Sequence, residues 1–300
     1  MSPNRDTKSR CFQDEFEVWK RRRKDDAADD DDDSSTDISE LFFQLANEST
    51  IRYRLLHDKK KIEIIIRQDL SATEHTGGIV WETSYLLASY MLNAFPNKKR
   101  QFGHLVEVGS GCGLLGLALY KSKQTKSTIL TETNSVMENL RYNVEQNRDS
   151  SQDDDGDTRS KKKRNRTLAA VPLDWTCYQE DCNAAGIVPH SIDTIVGTDV
   201  VFHVRFVKPL LETLRYLSHK ETRIFLCLQE RCADAHALLL SSANEFGLNI
   251  SNITEVVTKT PNCEWGQELD CQILQFHVRV DETTSISKNR NEDGKKKRKR

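Results

Sequence analysis

"LVEVGSGCGLLGLALY", residues 105 to 120, decides how the rest of the chain is read. An apolar strand ends near an acid, passes through a run of small residues and re-enters an apolar helix. Such a turn needs glycine, because a ligand must approach backbone where a Cβ would clash. Gly111-x-Gly113-x-x-Gly116 has the spacing of a dinucleotide pyrophosphate cradle. Glu107-x-Gly109-x-Gly111-x-Gly113 is an acid-led turn suited to a different adenosine cofactor. Both want a second acid at the end of the next strand for ribose hydroxyls, and Glu132 stands there, so the glycines and Glu132 do not discriminate. Glu107 does, because a carboxylate at the end of the first strand repels a pyrophosphate.

Outward from that turn, strand and helix patterns alternate. "KKIEIIIRQ" is β-branched and reads as a strand. "WETSYLLASYMLNAF" puts Leu86, Leu87, Tyr90, Met91 and Ala94 on one helical face. "STILTE" is a strand, and "SVMENLRYNVEQN" a helix with Asn134 or Ser135 as its cap. "TLAAVPL" and "IDTIVGT" are strands, and "VKPLLETLRYL" is a helix with Val207, Leu210, Leu211, Leu214 and Leu217 on its apolar face. "RIFLCLQ" is a strand followed by the helix "ADAHALLLSSANEF", which ends at Gly247. Two strands, "ITEVVTK" and "CQILQFHVRV", close the pattern with a short loop between them. Alternation predicts an α/β fold, a parallel sheet with helices on both faces. The last two strands lack a helix between them and must be antiparallel. That is not the dinucleotide pattern. It fits the Rossmann-like seven-stranded sheet of S-adenosylmethionine-dependent methyltransferases, mostly parallel with an antiparallel C-terminal hairpin. There Glu107 would face the methionine end of the cofactor.

The rest of the chain sets boundaries. Across 300 residues, 37% are hydrophobic and 30% charged, and the net charge is −2, so a polar surface surrounds one sizeable core. No apolar run reaches the ~20 residues of a membrane span, and the N-terminus has no secretory h-region. Eight cysteines are scattered without metal or redox spacing and read as reduced thiols of an intracellular protein. The basic run at 20–24 and "DDAADDDDD" at 25–33 self-repel, so residues 1–40 are expected to be a disordered charged segment. "NRDSSQDDDGDTRSKKKRNR", at 147–166, reads as a disordered insert in a methyltransferase domain spanning 41–280. A disordered tail at 281–300 ends in "KKKRKR", a candidate nuclear import signal on an otherwise cytoplasmic protein.

The chain also resembles the seven-β-strand protein-lysine methyltransferases, in the methyltransferase-like group that includes the valosin-containing-protein and heat-shock-protein lysine methyltransferases. "TGGIVWETSYLLASYM", the Gly-rich turn, "LTETNSVMENLRYNVEQN", "LDW" and "IVGTDVVF" occur in that family's order over roughly residues 60 to 278. The resemblance implies S-adenosylmethionine as cofactor. Its contacts would come from Trp81, from Gly109, Ser110 and Gly111 in the turn, from Glu132 at the ribose, from Trp175 near the adenine, and from Thr198. Asp199 and Phe202 match the family's Asp-x-x-Tyr/Phe motif at the methyl-transfer channel. Glu230, in Gln229-Glu230-Arg231, matches a Glu-Arg pair at the substrate site. The implied partner is a protein substrate such as a chaperone, an ATPase or a translation factor. The chain is read as a monomer with no metal.

Blander readings stand beside these. Trp81 opens an amphipathic helix and can be core. Trp175 can plug the sheet edge, Asp199 can cap the next helix, and Phe202 can be core. Glu107 can be a solvated strand-end charge. His203 beside a helix start is solvated more often than basic. A nucleic-acid methyltransferase remains an alternative because of the basic segments, but these are not interleaved with aromatics on a sheet, and "DVVF" lacks the prolines of a base-gripping loop. A non-catalytic cofactor-binding adaptor and a nicotinamide oxidoreductase complete the alternatives.

Overall fold

The structure is a computed structural model that describes residues 10–26, 37–57, 60–72, 75–95, 101–149 and 166–279. Strand β1 (Arg10–Cys11) leads into α1 (Phe12–Asp26), followed by α2 (Ile38–Ala46), β2 (Thr50–His57), β3 (Lys60–Arg67) and α3 (Glu82–Ala94). Then come β4 (Gly103–Val108), α4 (Leu114–Lys121), β5 (Thr125–Glu132), α5 (Met137–Asn147), β6 (Thr167–Pro172) and α6 (Tyr178–Ala184). The rest comprises β7 (Ile192–Thr198), α7 (Val204–Leu217), β8 (Ser218–Gln229), α8 (Ala233–Ser242), β9 (Leu248–Asn252), α9 (Thr254–Thr258) and β10 (Cys271–Val278).

Seven strands form the main sheet in the order β6-β5-β4-β7-β8-β10-β9. Those from β6 to β8 are parallel, and β10 runs antiparallel to both neighbours. The strand order reverses between β4 and β7, which opens a crevice at their carboxyl ends. This is the seven-stranded methyltransferase sheet expected from the alternation. On one face α7 buries Val207, Leu210, Leu211, Leu214 and Leu217, the stripe read from its spacing. On the other, α3 is buried nearly all round from Tyr85 to Met91, while Ala94 at its end is exposed. Among the described residues, no helix is long and apolar enough to cross a membrane.

Three expectations need correction. First, residues 10–26 are strand and helix. Phe12, Phe16 and Trp19 recur at helical spacing and are buried, with Phe12 stacked 4.5 Å from Tyr85 and Phe16 5.7 Å from Trp265. That aromatic stripe outweighs the repulsion of the charges beside it. The rest of the acidic run, 27–33, lies outside the described residues, as do 150–165 and the basic tail. The flanks of the expected insert are ordered: Arg166 pairs with Asp149 and stacks over Tyr120 at 4.4 Å. Second, "ITEVVTK" is not a strand. Asn252 Oδ1 accepts from Thr254 N at 3.0 Å and caps a helical turn there, while β9 is the preceding "LNISN". The connection to β10 is long and carries the buried Trp265. Third, α5 begins after Val136, with no side-chain cap from Asn134 or Ser135.

A smaller sheet, β1-β2-β3, packs beside α5. The edge of β3 is satisfied by side chains. Asn147 bonds both ways with Ile65 (Ile65 N to Oδ1 3.1 Å, Nδ2 to Ile65 O 2.7 Å). Asn143 does the same with Arg67 (2.8 and 2.9 Å) and also donates to Cys112 O at 3.0 Å. Asn139 adds Nδ2 to Arg67 O at 3.1 Å. Amides one helical turn apart thus replace the missing strand. Asn143 is wholly buried, so Asn143→Ala strands several backbone groups and is expected to cost about 2–4 kcal/mol. The exposed neighbour Gln146→Ala is expected to stay within about 0.5 kcal/mol. Urea midpoints of the two variants check this.

Candidate active site

At the carboxyl ends of β4, β5, β6, β7 and β8 the chain encloses a cavity of about 350 Å³, within the size range of small-molecule sites. Its floor is the Gly-rich turn. Gly109, Gly111 and Gly113 all have left-handed φ values, of 60°, 52° and 85°. Space forbids side chains as well as conformation does: a Cβ on Gly109 would meet Val200 at 2.8 Å, and one on Gly113 would meet Leu140 at 2.8 Å. The backbone is therefore open to a ligand. The loop before α3 lies over this turn. Cys112 Sγ donates to Gly78 O at 3.2 Å, and a Cβ on Gly78 would meet Asp69 O at 2.5 Å, which accounts for the paired glycines.

Glu132 closes β5 at the cavity wall. It accepts from Gly111 N at 3.2 Å and Thr133 N at 2.6 Å, and burial raises its pKa against those two bonds. Trp175 opens a single-turn helix after β6 and stands edge-on to Phe206 at 6.4 Å; Phe202 lies 5.4 Å from Phe206 and is 46% exposed. These rings make an aromatic wall. Thr198 Oγ1 bonds Ser84 Oγ at 2.9 Å, linking β7 to α3.

Asp199 has φ 51°, a left-handed conformation that Asp tolerates better than most residues. It does not cap α7, since His203 does so by accepting from Arg205 N at 3.2 Å through Nδ1. Asp199 Oδ1 instead accepts from Gln229 N at 2.8 Å, and Oδ2 pairs with Arg231 Nη2 at 3.2 Å. Burial raises its pKa, opposed by the Gln229 N–H and the Arg231 charge. Trp81 precedes α3, donates Nε1 to Thr76 O at 3.0 Å and carries the Arg231 guanidinium 4.6 Å above its ring.

The structure thus brings the turn residues Gly109, Ser110 and Gly111 to one cavity with Glu132, Trp81 and Trp175. Thr198, Asp199 and Phe202 line it too. Two expected residues lie elsewhere. Glu107 is neither at the cavity nor in water: it is 1% exposed, and its Oε2 accepts from Gly116 N at 3.0 Å beneath α4. Burial pushes its pKa up to about 8. Glu230 is exposed and off the cavity wall, whereas its neighbour Arg231 lines it. Reading the Glu-Arg pair for its acid missed the residue that faces inward. Phe206 was missed as well, although it sits one helical turn after Phe202.

A family model described as lysine methyltransferase matches residues 58–245, more than half the chain. The chain belongs to the lysine methyltransferase family. The cofactor of this family is S-adenosylmethionine. An uncharacterized Dictyostelium discoideum protein is 28% identical over 199 residues, 61% of this chain and 52% of that protein. The Xenopus tropicalis protein named EEF1A lysine methyltransferase 3 is 25% identical over 171 residues, 56% of this chain and 65% of that protein. The chain therefore spans between half and two thirds of these relatives' length. Among solved structures, the Methanococcus jannaschii fibrillarin pre-rRNA processing protein has a TM-score of 0.45 at 11% identity, covering 73% of this chain and 91% of that one. A TehB-like S-adenosylmethionine-dependent methyltransferase from Corynebacterium glutamicum has a TM-score of 0.43 at 15% identity, covering 68% and 90%.

Two outcomes are expected. Glu132→Ala should weaken S-adenosylmethionine binding by roughly 10 to 100-fold, the worth of charge-assisted bonds of ~1.5–3 kcal/mol, as read by titration calorimetry. Glu107 gives a pH effect. Between its ordinary 4.5 and about 8 the folded protein keeps a proton that the unfolded chain has lost. Stability should fall as pH rises through that window, by up to about 1.4 kcal/mol per pH unit. Glu107→Gln keeps the acceptor for Gly116 N and should flatten the dependence, so thermal melts of the two proteins should diverge from pH 5 to 8.

Proposed function

We propose that the protein transfers a methyl group from S-adenosylmethionine to a lysine side chain of a protein substrate. The observation that carries this reading is Asp199, held in a left-handed turn with both oxygens tied, beside an aromatic wall and above a Gly-rich cradle in one cavity. The cofactor, when bound, supplies a methyl group already activated by a positively charged sulfur.

The work left to the chain is holding and positioning. Backbone at Gly109 and Gly111 would lie against the cofactor, and Glu132 would accept from its ribose hydroxyls. Trp175 would cover its adenine side, with Thr198 and Ser110 adding contacts. The target amine must be neutral to react, although free lysine, with a pKa near 10.4, is charged at neutral pH. Desolvation beside the aromatic wall strips water from it and favours the neutral form. Asp199 would orient the nitrogen through Oδ2, the oxygen that now faces Arg231. The aromatic faces would stabilise the cation formed on the product nitrogen.

Of the partner classes that the resemblance implies, a translation factor is favoured by the name of the Xenopus tropicalis relative, EEF1A lysine methyltransferase 3. Labelled methyl groups should pass from S-adenosylmethionine to purified elongation factor 1A, or to a cell extract in a form that protease destroys and nuclease spares. Asp199→Ala should lower the initial rate about 100-fold at saturating cofactor, the cost of a misplaced reacting group. Phe202→Tyr should retain activity and Phe202→Ala should not. A folded Asp199→Ala protein that methylates at the parent rate rules out this assignment.

A further inference from the structure

At the rim of the cavity the protein's own cation occupies a position suited to a bound one. Arg231 Nη2 lies 3.2 Å from Asp199 Oδ2 and 3.5 Å from Glu82 Oε1, and the guanidinium carbon sits 4.6 Å above the Trp81 ring. Two carboxylates and an indole face are also what an alkylammonium group needs.

The place of this contact is as informative as its chemistry. Arg231 and Asp199 line the cavity over the Gly-rich turn. Glu82 and Gln229 line a second hollow of about 610 Å³, between α2, the loop before α3 and the turn before β10. Trp81 walls both. The Arg231–Trp81–Glu82 contact is therefore part of the partition between the two spaces. The hollow carries Asp69, Glu82, Glu268 and Asp270 and, among the described residues, no lysine or arginine. Phe43 and Leu70 stand on its wall 71% and 49% exposed, as apolar footholds.

We propose that Arg231 is a place-holder whose guanidinium occupies the seat of the target lysine's ammonium group, so that a lysine arriving through the acidic hollow displaces it and joins the hollow to the cavity. This rests on the methyltransferase reading above. The exchange swaps one cation for another, so Asp199 and Glu82 are never left facing each other unpaired. A neutral or acidic side chain cannot make it without leaving two carboxylates uncompensated, which selects for a cationic side chain. Displacement is cheap on the arginine side, because its side chain is already 36% exposed and has only to swing into water.

n-Butyltrimethylammonium, a fixed cation on an alkyl stem, is the probe, read by quenching of tryptophan fluorescence. Trp81 is one of four tryptophans, so Trp81→Phe isolates its signal. Arg231→Gln and Arg231→Met should bind the probe about 10-fold more tightly than the parent, because the seat is vacated. The parent should still saturate at higher concentration, and Trp81→Phe should abolish the quench in every background. Titration of S-adenosylmethionine and a circular dichroism melt accompany each protein. Variants that fold and bind S-adenosylmethionine but take the probe no better than the parent would make Arg231 a plain strut and overturn the proposal. Should both variants fail to fold, the parent decides: no saturable quench, or one that survives Trp81→Phe, overturns it equally. If the parent does not bind S-adenosylmethionine, the methyltransferase reading itself fails, whatever the probe does.

Discussion

The reversal of the chain between Val108 and Leu114 is the constraint on which the rest of the molecule is arranged. Three glycines with positive φ let β4 turn straight into α4. Neighbouring elements then fasten to the backbone thus exposed. Gly111 N is held by Glu132 from β5, Cys112 O by Asn143 from α5, and Gly116 N by Glu107 from β4 itself. Glu132 and Asn143 tie β5 and α5 to the turn, and the Cys112 thiol ties it to the loop before α3, so the turn's geometry sets where those elements can lie. A site made this way has little freedom to relax, which favours a cradle that is formed before its ligand arrives.

The asparagine ladder extends that control to the N-terminal layer. Asn143 touches Arg67 of β3 with one set of bonds and the Gly-rich turn with another. The small sheet and the Gly-rich turn therefore share a residue. Gln68, just after β3, carries the linkage on: its Oε1 accepts from Val80 N at 2.7 Å, and its Nε2 donates to Leu45 O at 2.9 Å at the end of α2. Phe12 and Phe16 add α1 to the same layer through Tyr85 and Trp265. The charged N-terminal segment is thus packed against α3 and the turn before β10.

How much of this was legible depends on whether the signal was local. The strands from β4 to β8 and the apolar face of α7 follow from periodicity, and Glu132 follows from a strand end in a parallel sheet, whereas Trp175 and Asp199 follow from the resemblance to the family. Phe12, Phe16 and Trp19 also had a local signature, spacing of four and three, but the charge run after them dominated the reading. "ITEVVTK" failed for the opposite reason: its β-branched residues favour strand, and the Asn252 side chain overrides them with a helix cap. The two glutamates were a matter of direction. Nothing local says that Glu107 turns under α4, because its partner, Gly116 N, becomes available only once the helix has formed. Likewise Glu230 faces solvent while Arg231 is drawn inward by Asp199 and Glu82, a pull that exists only after β7, β8 and α3 have met. Asn139, Asn143 and Asn147 stand visibly one turn apart, yet their use needs the edge of β3 beside them.

The charges of the site follow one logic. Glu132 and Asp199 on the cavity wall, and Glu107 away from it beneath α4, differ in what compensates them. Glu107 is wholly buried, and burial pushes its pKa up to about 8 against hydrogen bonds from Gly116 N and Ser110. Glu132 has two backbone N–H groups, and Asp199 has one together with the Arg231 cation, which oppose the effect of burial in both. Both acids line the one cavity, Asp199 together with its Arg231 partner. A cofactor carrying a sulfonium and a substrate carrying an amine both bring positive charge to such a cavity, and two like charges would repel if they met in a neutral pocket. Glu132 and Asp199, both on the cavity wall, offset that repulsion.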